Sequence, residues 1–139
     1  MRFQGKLLKE GRYWLAEVAV FDALTQGRTR ADALCMMRDW FETILGSSSG
    51  SVRTIAVTRT DFEVVATDAV AMISLLLRRQ RQKSGLSLAD AAARLGARSR
   101  NAYARYEQGR TVPTVAKLDE LLKAIAPDRD LLVGQSKAA

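Results

Sequence analysis

The chain has 139 residues, of which 47% are hydrophobic and 27% charged, and this composition excludes a disordered, collagen-like or disulfide-scaffold protein. The longest nearly apolar run, residues 69–77, is much shorter than the roughly 18 residues that a membrane span requires. The N-terminus lacks the apolar region of a secretory signal, and the single Cys35 cannot form an internal disulfide. We therefore expect a cytoplasmic protein without membrane attachment.

The sequence contains no histidine and one cysteine, which excludes Ser–His and Cys–His nucleophiles, histidine metal sites and thiolate zinc clusters. Only carboxylate chemistry remains open. The acidic residues available to it are Asp22, Asp32, Asp39, Glu42, Asp61 and Glu63. Asp32 has an explanation as a helix cap, and the others form no recognisable motif. We therefore predict no enzyme activity, no catalytic residue, no metal site and no cofactor.

The net charge of +7 lies in one half of the chain. Residues 1–70 contain nine Lys and Arg against nine Asp and Glu, whereas residues 71–139 contain thirteen against six. Arginine dominates the basic half, and its planar fork suits phosphates and guanine edges. The asymmetry predicts that the C-terminal half binds a polyanion and that the N-terminal half has another task.

The N-terminal segment alternates between apolar and polar residues in the way that is typical of strands. The first strand ends at the turn 9–12, and 13–20 alternates again, so the two form a hairpin. A short strand, 23–26, follows. Two further extended runs, 52–58 and 62–66, follow the helix described next. The predicted unit is β-β-β-α-β, with room for one more strand.

The helix in this unit begins at a capping motif. Thr29 and Asp32 form the T-x-x-D pattern, and Gly46 ends the helix. The apolar residues at helical spacing are Leu34, Met37, Phe41 and Ile44. The pattern predicts an amphipathic helix packed on a sheet.

From Asp68 onward the pattern is helical. Asp68 caps a helix over 69–83, and Ser87 with Asp90 caps a second, short helix whose apolar stripe includes Ala91 and Ala92. Ser99 is predicted to cap a third helix that runs to Gln108. Thr114 caps a fourth, which ends before Pro127. The residues predicted to face inward in the fourth helix are Val115, Leu118, Leu122 and Ile125.

The second and third helices are joined by Gly96-Ala97-Arg98, which is helix-turn-helix spacing. In the third helix, Asn101, Ala104, Arg105 and Gln108 are predicted to form a polar face opposite Ala102, Tyr103 and Tyr106. Arginine pairs with guanine edges and asparagine with adenine edges. The predicted DNA-binding residues are Arg98, Ser99, Arg100, Asn101 and Arg105. Arg78 and Arg79 in the first helix would at most touch phosphate.

Residues 75–126 resemble the Xre/Cro/lambda-repressor type of helix-turn-helix. The matching motifs are Gly85-Leu86-Ser87, Ala92-Ala93-Arg94-Leu95-Gly96, Tyr106-Glu107-Gln108-Gly109 and Pro113. The resemblance implies an all-α, lambda-repressor-like domain over 68–127, followed by a C-terminal tail, 128–139. It also implies a structural ion pair between Arg81 and Glu107, and a double-stranded operator DNA as partner.

Residues 13–34 resemble the HicB antitoxin domain, a small and catalytically degenerate relative of RNase H. The matching segments are Tyr13-Trp14-Leu15-Ala16-Glu17-Val18, Thr25-Gln26-Gly27-Arg28-Thr29 and Ala31-Asp32-Ala33-Leu34. The resemblance implies an α+β fold with a small RNase H-like, toxin-binding domain over 1–67. It also implies an antitoxin that neutralises a HicA-like ribonuclease toxin and represses its own operon. Because one helix-turn-helix covers only a half-site, we also expect a homodimer or homotetramer.

Two other functions stay open at this stage. The chain is alternatively a stand-alone repressor whose N-terminal unit senses a small ligand or forms oligomers. The second alternative is a metal-dependent RNase H-like nuclease, which would need clustered carboxylates to bind the metal ions.

Overall fold

A computed structural model of the protein describes residues 1–137; Ala138 and Ala139, the end of the predicted tail 128–139, lie outside the described residues. In chain order the elements are β1 (Arg2–Glu10), β2 (Tyr13–Val18), a 3-10 turn (Ala19–Phe21), β3 (Ala23–Gly27), α1 (Arg30–Leu45), β4 (Val52–Ala56), β5 (Asp61–Ala66), α2 (Ala69–Lys83), α3 (Leu88–Arg94), α4 (Asn101–Glu107) and α5 (Val115–Ile125). The chain divides into two units, Met1–Arg79 and Gln80–Ala139. The division falls inside α2, whereas the predicted boundary, 67/68, lies just before that helix.

The predicted α+β class is confirmed. The five strands of the first unit form one sheet in the order β3-β2-β1-β5-β4, and every neighbouring pair is antiparallel. The predicted hairpin is β1–β2, with Leu7 opposite Ala16. The extra strand for which the sequence left room is present, so the unit is β-β-β-α-β-β. The RNase H-like relationship stays a prediction from the resemblance.

Two predicted strands end earlier in the structure than expected. The second stops at Val18, because the next residues form a 3-10 turn that brings Phe21 into the core. The Phe21 ring meets the rings of Phe3 and Phe41 edge to face, at centroid distances of 4.7 and 5.1 Å. The strand predicted over 52–58 stops at Ala56, where a turn begins that the side chain of Thr58 closes by accepting from the Asp61 amide at 3.0 Å.

Helix α1 covers one face of the sheet. The Thr29 hydroxyl accepts from the Asp32 amide at 3.0 Å, as the capping motif predicts, and Gly46 ends the helix with a φ of +62°. The buried side of the helix consists of Ala33, Met37 and Phe41. Gly27 has to be glycine, because an added Cβ would lie 2.2 Å from the backbone nitrogen of Ala33.

The second unit consists of short capped helices. Ser87 and Asp90 form the predicted capping box of α3. In α5 the cap at Thr114 is as predicted, but two of its inward positions are wrong. Val115 is 69% exposed, and Leu121 is fully buried where Leu122 was expected. The buried residues, Leu118, Leu121 and Ile125, are spaced three and four apart and therefore form one stripe.

Helix length and hydropathy bear on the membrane prediction. Within residues 1–137, no helix has both the length and the apolar character that crossing a membrane requires.

Candidate nucleic-acid interface

The turn between α3 and α4 reverses the chain through a glycine. Gly96 has a φ of +74°, and its amide donates to the Ala93 carbonyl at 2.9 Å while the Ala97 amide donates to the Ala92 carbonyl at 3.0 Å. This bonding pattern is a Schellman motif, which stops a helix and redirects the chain. The sequence therefore folds here into two short helices joined by a tight turn.

Helix α4 has one buried side and one exposed side. Tyr103, Ala104 and Tyr106 are buried, whereas Asn101 and Arg105 are exposed. The prediction that Ala104 belongs to the polar face is wrong. The helical rotation of about 100° per residue places it at the border between the two sides, and its methyl group is buried.

The N-terminus of α4 also differs from the prediction. The helix begins at Asn101, and the residue in the cap position is Arg100, which makes no side-chain cap bond. Ser99, the predicted cap, lies one position earlier, and its hydroxyl accepts from the Asn101 amide at 3.3 Å. A hydroxyl that accepts a bond can still donate one, so Ser99 can serve a phosphate oxygen.

The exposed side of α4 is cationic. Arg98, Arg100, Arg105 and Arg110 are all exposed and, within residues 1–137, none of them has an ion-pair partner. The Arg105 guanidinium lies over the Tyr106 ring, 5.2 Å from its centroid. Unpaired arginines of this kind keep their hydrogen-bond donors for a ligand.

Asn101 and Arg105 line the same shallow cavity, of about 360 Å³. Its other lining residues are Ala102, Gln108 and Arg110. Arg110 is outside the set of residues predicted from the sequence. The amide of Arg110 donates to the Arg105 carbonyl at 3.0 Å, which folds the chain back beside α4. The sequence feature that indicates Arg110 is its position directly after Gly109, at which the helix ends and the chain turns back.

Arg81 and Glu107 form a two-point ion pair. The Arg81 Nε donates to Glu107 Oε1 at 2.6 Å and Nη2 donates to Oε2 at 3.0 Å, while Nη1 donates to the Leu86 carbonyl at 2.7 Å. The hydrogen bond to Glu107 raises the pKa of Arg81, and burial raises the pKa of the neighbouring Tyr103 phenol. The pair holds the end of α2 against the end of α4, so it positions the exposed side of α4 without facing a ligand itself.

Arg79 has a structural role that the sequence did not indicate. Its Nε donates to the Phe21 carbonyl at 2.7 Å and its Nη2 to the Asp22 carbonyl at 2.8 Å. The guanidinium also lies 5.6 Å from the centroid of the Trp40 ring. Because these contacts occupy the guanidinium of Arg79, that side chain is not available for the phosphate contact considered for it from the sequence. Arg78 is then the candidate for a phosphate contact on α2.

Residues 73–132 match the model of a helix-turn-helix domain family. The chain carries a helix-turn-helix domain. This confirms the helix-turn-helix prediction made from the sequence, and such domains are typical of DNA-binding regulators. A comparison with curated proteins finds no match.

Proposed function

We propose that this protein is a DNA-binding repressor and that it is also the antitoxin of a HicAB-type toxin–antitoxin system. The observation that carries the DNA-binding part of the proposal is the exposed side of α4, which presents Asn101 and Arg105 beside Arg98 and Arg100 with no ion-pair partner among the described residues. In a helix-turn-helix domain, the second helix is the one that enters the major groove.

The proposed contacts divide by chemistry. Arg100, Asn101 and Arg105 face base edges, because arginine bonds to two acceptors of guanine and asparagine to the N6 and N7 of adenine. Arg98 and Ser99 sit at the turn before α4 and bind phosphate, which fixes the position of the helix in the groove.

The repressor is expected to act as a homodimer or homotetramer. One helix-turn-helix covers only a half-site of an operator. Two such domains that bind the same face of the DNA lie about 34–36 Å apart, or a multiple of that distance. The DNA partner is therefore an inverted repeat near the promoter of the gene itself.

The antitoxin part of the proposal rests on the N-terminal motifs. The Thr25-Gln26-Gly27 segment leads into α1, and Gly27 has no room for a side chain against Ala33. The Thr25 hydroxyl donates to the Ala33 carbonyl at 3.3 Å. These contacts give a structural reason for the motif that resembles HicB, and the same resemblance supports the RNase H-like assignment. Neutralisation is steric and non-catalytic: the N-terminal unit covers the RNA-cleaving site of a HicA-like toxin.

The proposal is tested in two steps with the full chain. Footprinting upstream of its own gene should show protection of an inverted repeat, and the product of the adjacent gene should copurify with the chain and lose ribonuclease activity. DNA protection without copurification would favour the alternative, a stand-alone repressor with a ligand-sensing or oligomerising N-terminal unit. Metal-dependent nuclease activity of the chain itself would contradict the non-catalytic role.

A further inference from the structure

The two faces of the N-terminal sheet are unlike. Helix α1 covers the face that carries Leu7, Ala16 and Phe62, all of which are buried. The opposite face carries Leu8 and Leu24, which are 51% and 60% exposed. A sheet face that presents exposed leucines has apolar surface available to a partner.

The strand register places apolar and charged residues of the open face side by side. Leu24 on β3 lies opposite Glu17 on β2, Glu17 lies opposite Lys6 on β1, and Lys6 lies opposite Asp61 on β5. In the next row, Leu8 lies opposite Leu15. Residues opposite each other on one face are within contact distance, so Leu24 lies directly beside Glu17, and Leu8 and Leu15 form an apolar pair in the neighbouring row.

A cavity of about 510 Å³ lies on this face and is lined by three carboxylates and one ammonium group. These are Glu17, Asp61, Glu63 and Lys6. Two of the carboxylates have cations: Asp61 accepts from Lys6, and Glu63 accepts from Arg2 at 2.6 Å. Glu17 makes no ion pair with any residue in 1–137. The bond from Lys6, with one from Thr58, lowers the pKa of Asp61 and so keeps it ionised.

The residues that line this cavity carry a net negative charge, whereas the chain as a whole has a net charge of +7. Two exposed valines, Val20 and Val57, line it as well. A negative, partly apolar concavity repels nucleic acid and suits a polypeptide that presents lysine or arginine next to apolar side chains. A protein that cleaves RNA has a basic surface of this kind, because it must attract a polyanion to its active site.

We propose that the open face of the N-terminal sheet, centred on Glu17 and Leu24, is the docking surface for a basic, RNA-binding protein partner. This inference rests on the proposed antitoxin function, and it names the surface that covers the toxin. Glu17 supplies the unpaired charge for a cation of the partner, and Leu8, Leu15 and Leu24 supply the apolar contact.

The test measures binding of the full chain to the purified product of the adjacent gene. Glu17→Arg and Leu24→Arg should each weaken binding by roughly tenfold or more, since one reverses the central charge and the other replaces an exposed apolar contact with a cation. The matched control is Met36→Arg, because Met36 is 46% exposed on α1, which covers the opposite face. It should change the affinity by less than about twofold. Glu17→Gln, which removes the charge without repelling Lys6, keeps the test valid if Glu17→Arg unfolds.

The possible outcomes separate the surface from the function. Tight binding by the wild type that the sheet-face variants leave unchanged would overturn the docking surface and leave the antitoxin function standing. Absence of binding by the wild type would overturn both. If Glu17→Arg instead dissociated an oligomer of the chain alone, the occupant would be a second copy and the inferred partner would be wrong. Operator binding serves as the folding check, and all variants should retain it.

Discussion

The arginines of α2 and those around α4 belong to the same basic half of the sequence but are used in opposite ways. Arg79 and Arg81 donate hydrogen bonds to acceptors within the protein, namely backbone carbonyls and the Glu107 carboxylate. Arg98, Arg100 and Arg105 have no ion-pair partner in the described part of the chain. The density of arginine in a sequence therefore indicates a polyanion-binding half, but only the contacts show which arginines remain available.

The largest expected effect follows from breaking the Arg81–Glu107 pair. Arg81→Ala leaves a carboxylate that is 7% exposed without its cation, and loss of one partner of a buried pair costs about 3–5 kcal/mol. Urea denaturation should show this loss in the free energy of unfolding of the helical unit. A loss below about 1 kcal/mol would mean that the pair does not brace α4.

Arg79→Ala should destabilise the N-terminal unit while sparing DNA binding. Two carbonyls, those of Phe21 and Asp22, lose their donor, which costs about 1–3 kcal/mol. Asp22 has a φ of +51°, so this turn has few other ways to adjust. Operator affinity measured at a temperature where the variant is folded should equal that of the wild type. A lower affinity with an unchanged unfolding transition would assign Arg79 to the DNA interface instead.

Arg98→Ala should weaken binding to operator and scrambled duplexes alike. The loss of one phosphate contact should reduce the magnitude of the salt slope of log K by about one. Titrations at several salt concentrations measure the slope. The matched control is Arg53→Ala, which removes the same charge from an exposed strand position in the N-terminal unit. Equal slopes for the two variants would show that only net charge matters.

The smallest effect concerns pH. Hydrogen bonds from Ser87 lower the pKa of Asp90, so the charged form stabilises the folded protein. Because the pKa is lower in the folded state, this stabilisation is complete above the unfolded value of about 3.9 and is lost as the pH falls through the folded value. Asp90→Asn should therefore be less stable than the wild type at pH 7, and the difference should disappear in acid. A difference that is constant with pH would exclude a role for the charge.

Local features of the fold were predictable from the sequence, whereas the order of the strands and the contacts of Arg79 were not. The caps at Thr29, Ser87 and Thr114 involve residues three apart, and all three are confirmed. Insertion of β5 between β1 and β4 is a long-range pairing that alternation of apolar residues does not encode. The contact of Arg79 with Phe21 spans 58 residues and had no signal in the sequence.

The same distinction holds in the candidate interface. The glycine turn and the exposed Asn101 and Arg105 followed from motif and helical period. Burial of Ala104 did not, because alanine fits either side of a helix and its border position is decided by packing. Likewise, the exposure of Val115 at the first position of α5 depends on what the helix packs against.

The central claim is that the exposed side of α4 distinguishes one DNA sequence from another. The most direct measurement is the ratio of operator affinity to scrambled-duplex affinity for Arg100→Ala, Asn101→Ala and Arg105→Ala, with Arg78→Ala as the matched control on α2. Loss of a residue that contacts a base edge should weaken binding by about 1–3 kcal/mol on the operator and by less on the scrambled duplex, so the ratio falls. Arg78→Ala should leave the ratio unchanged. If all three α4 variants also left it unchanged, α4 would not be the helix that distinguishes the sequence.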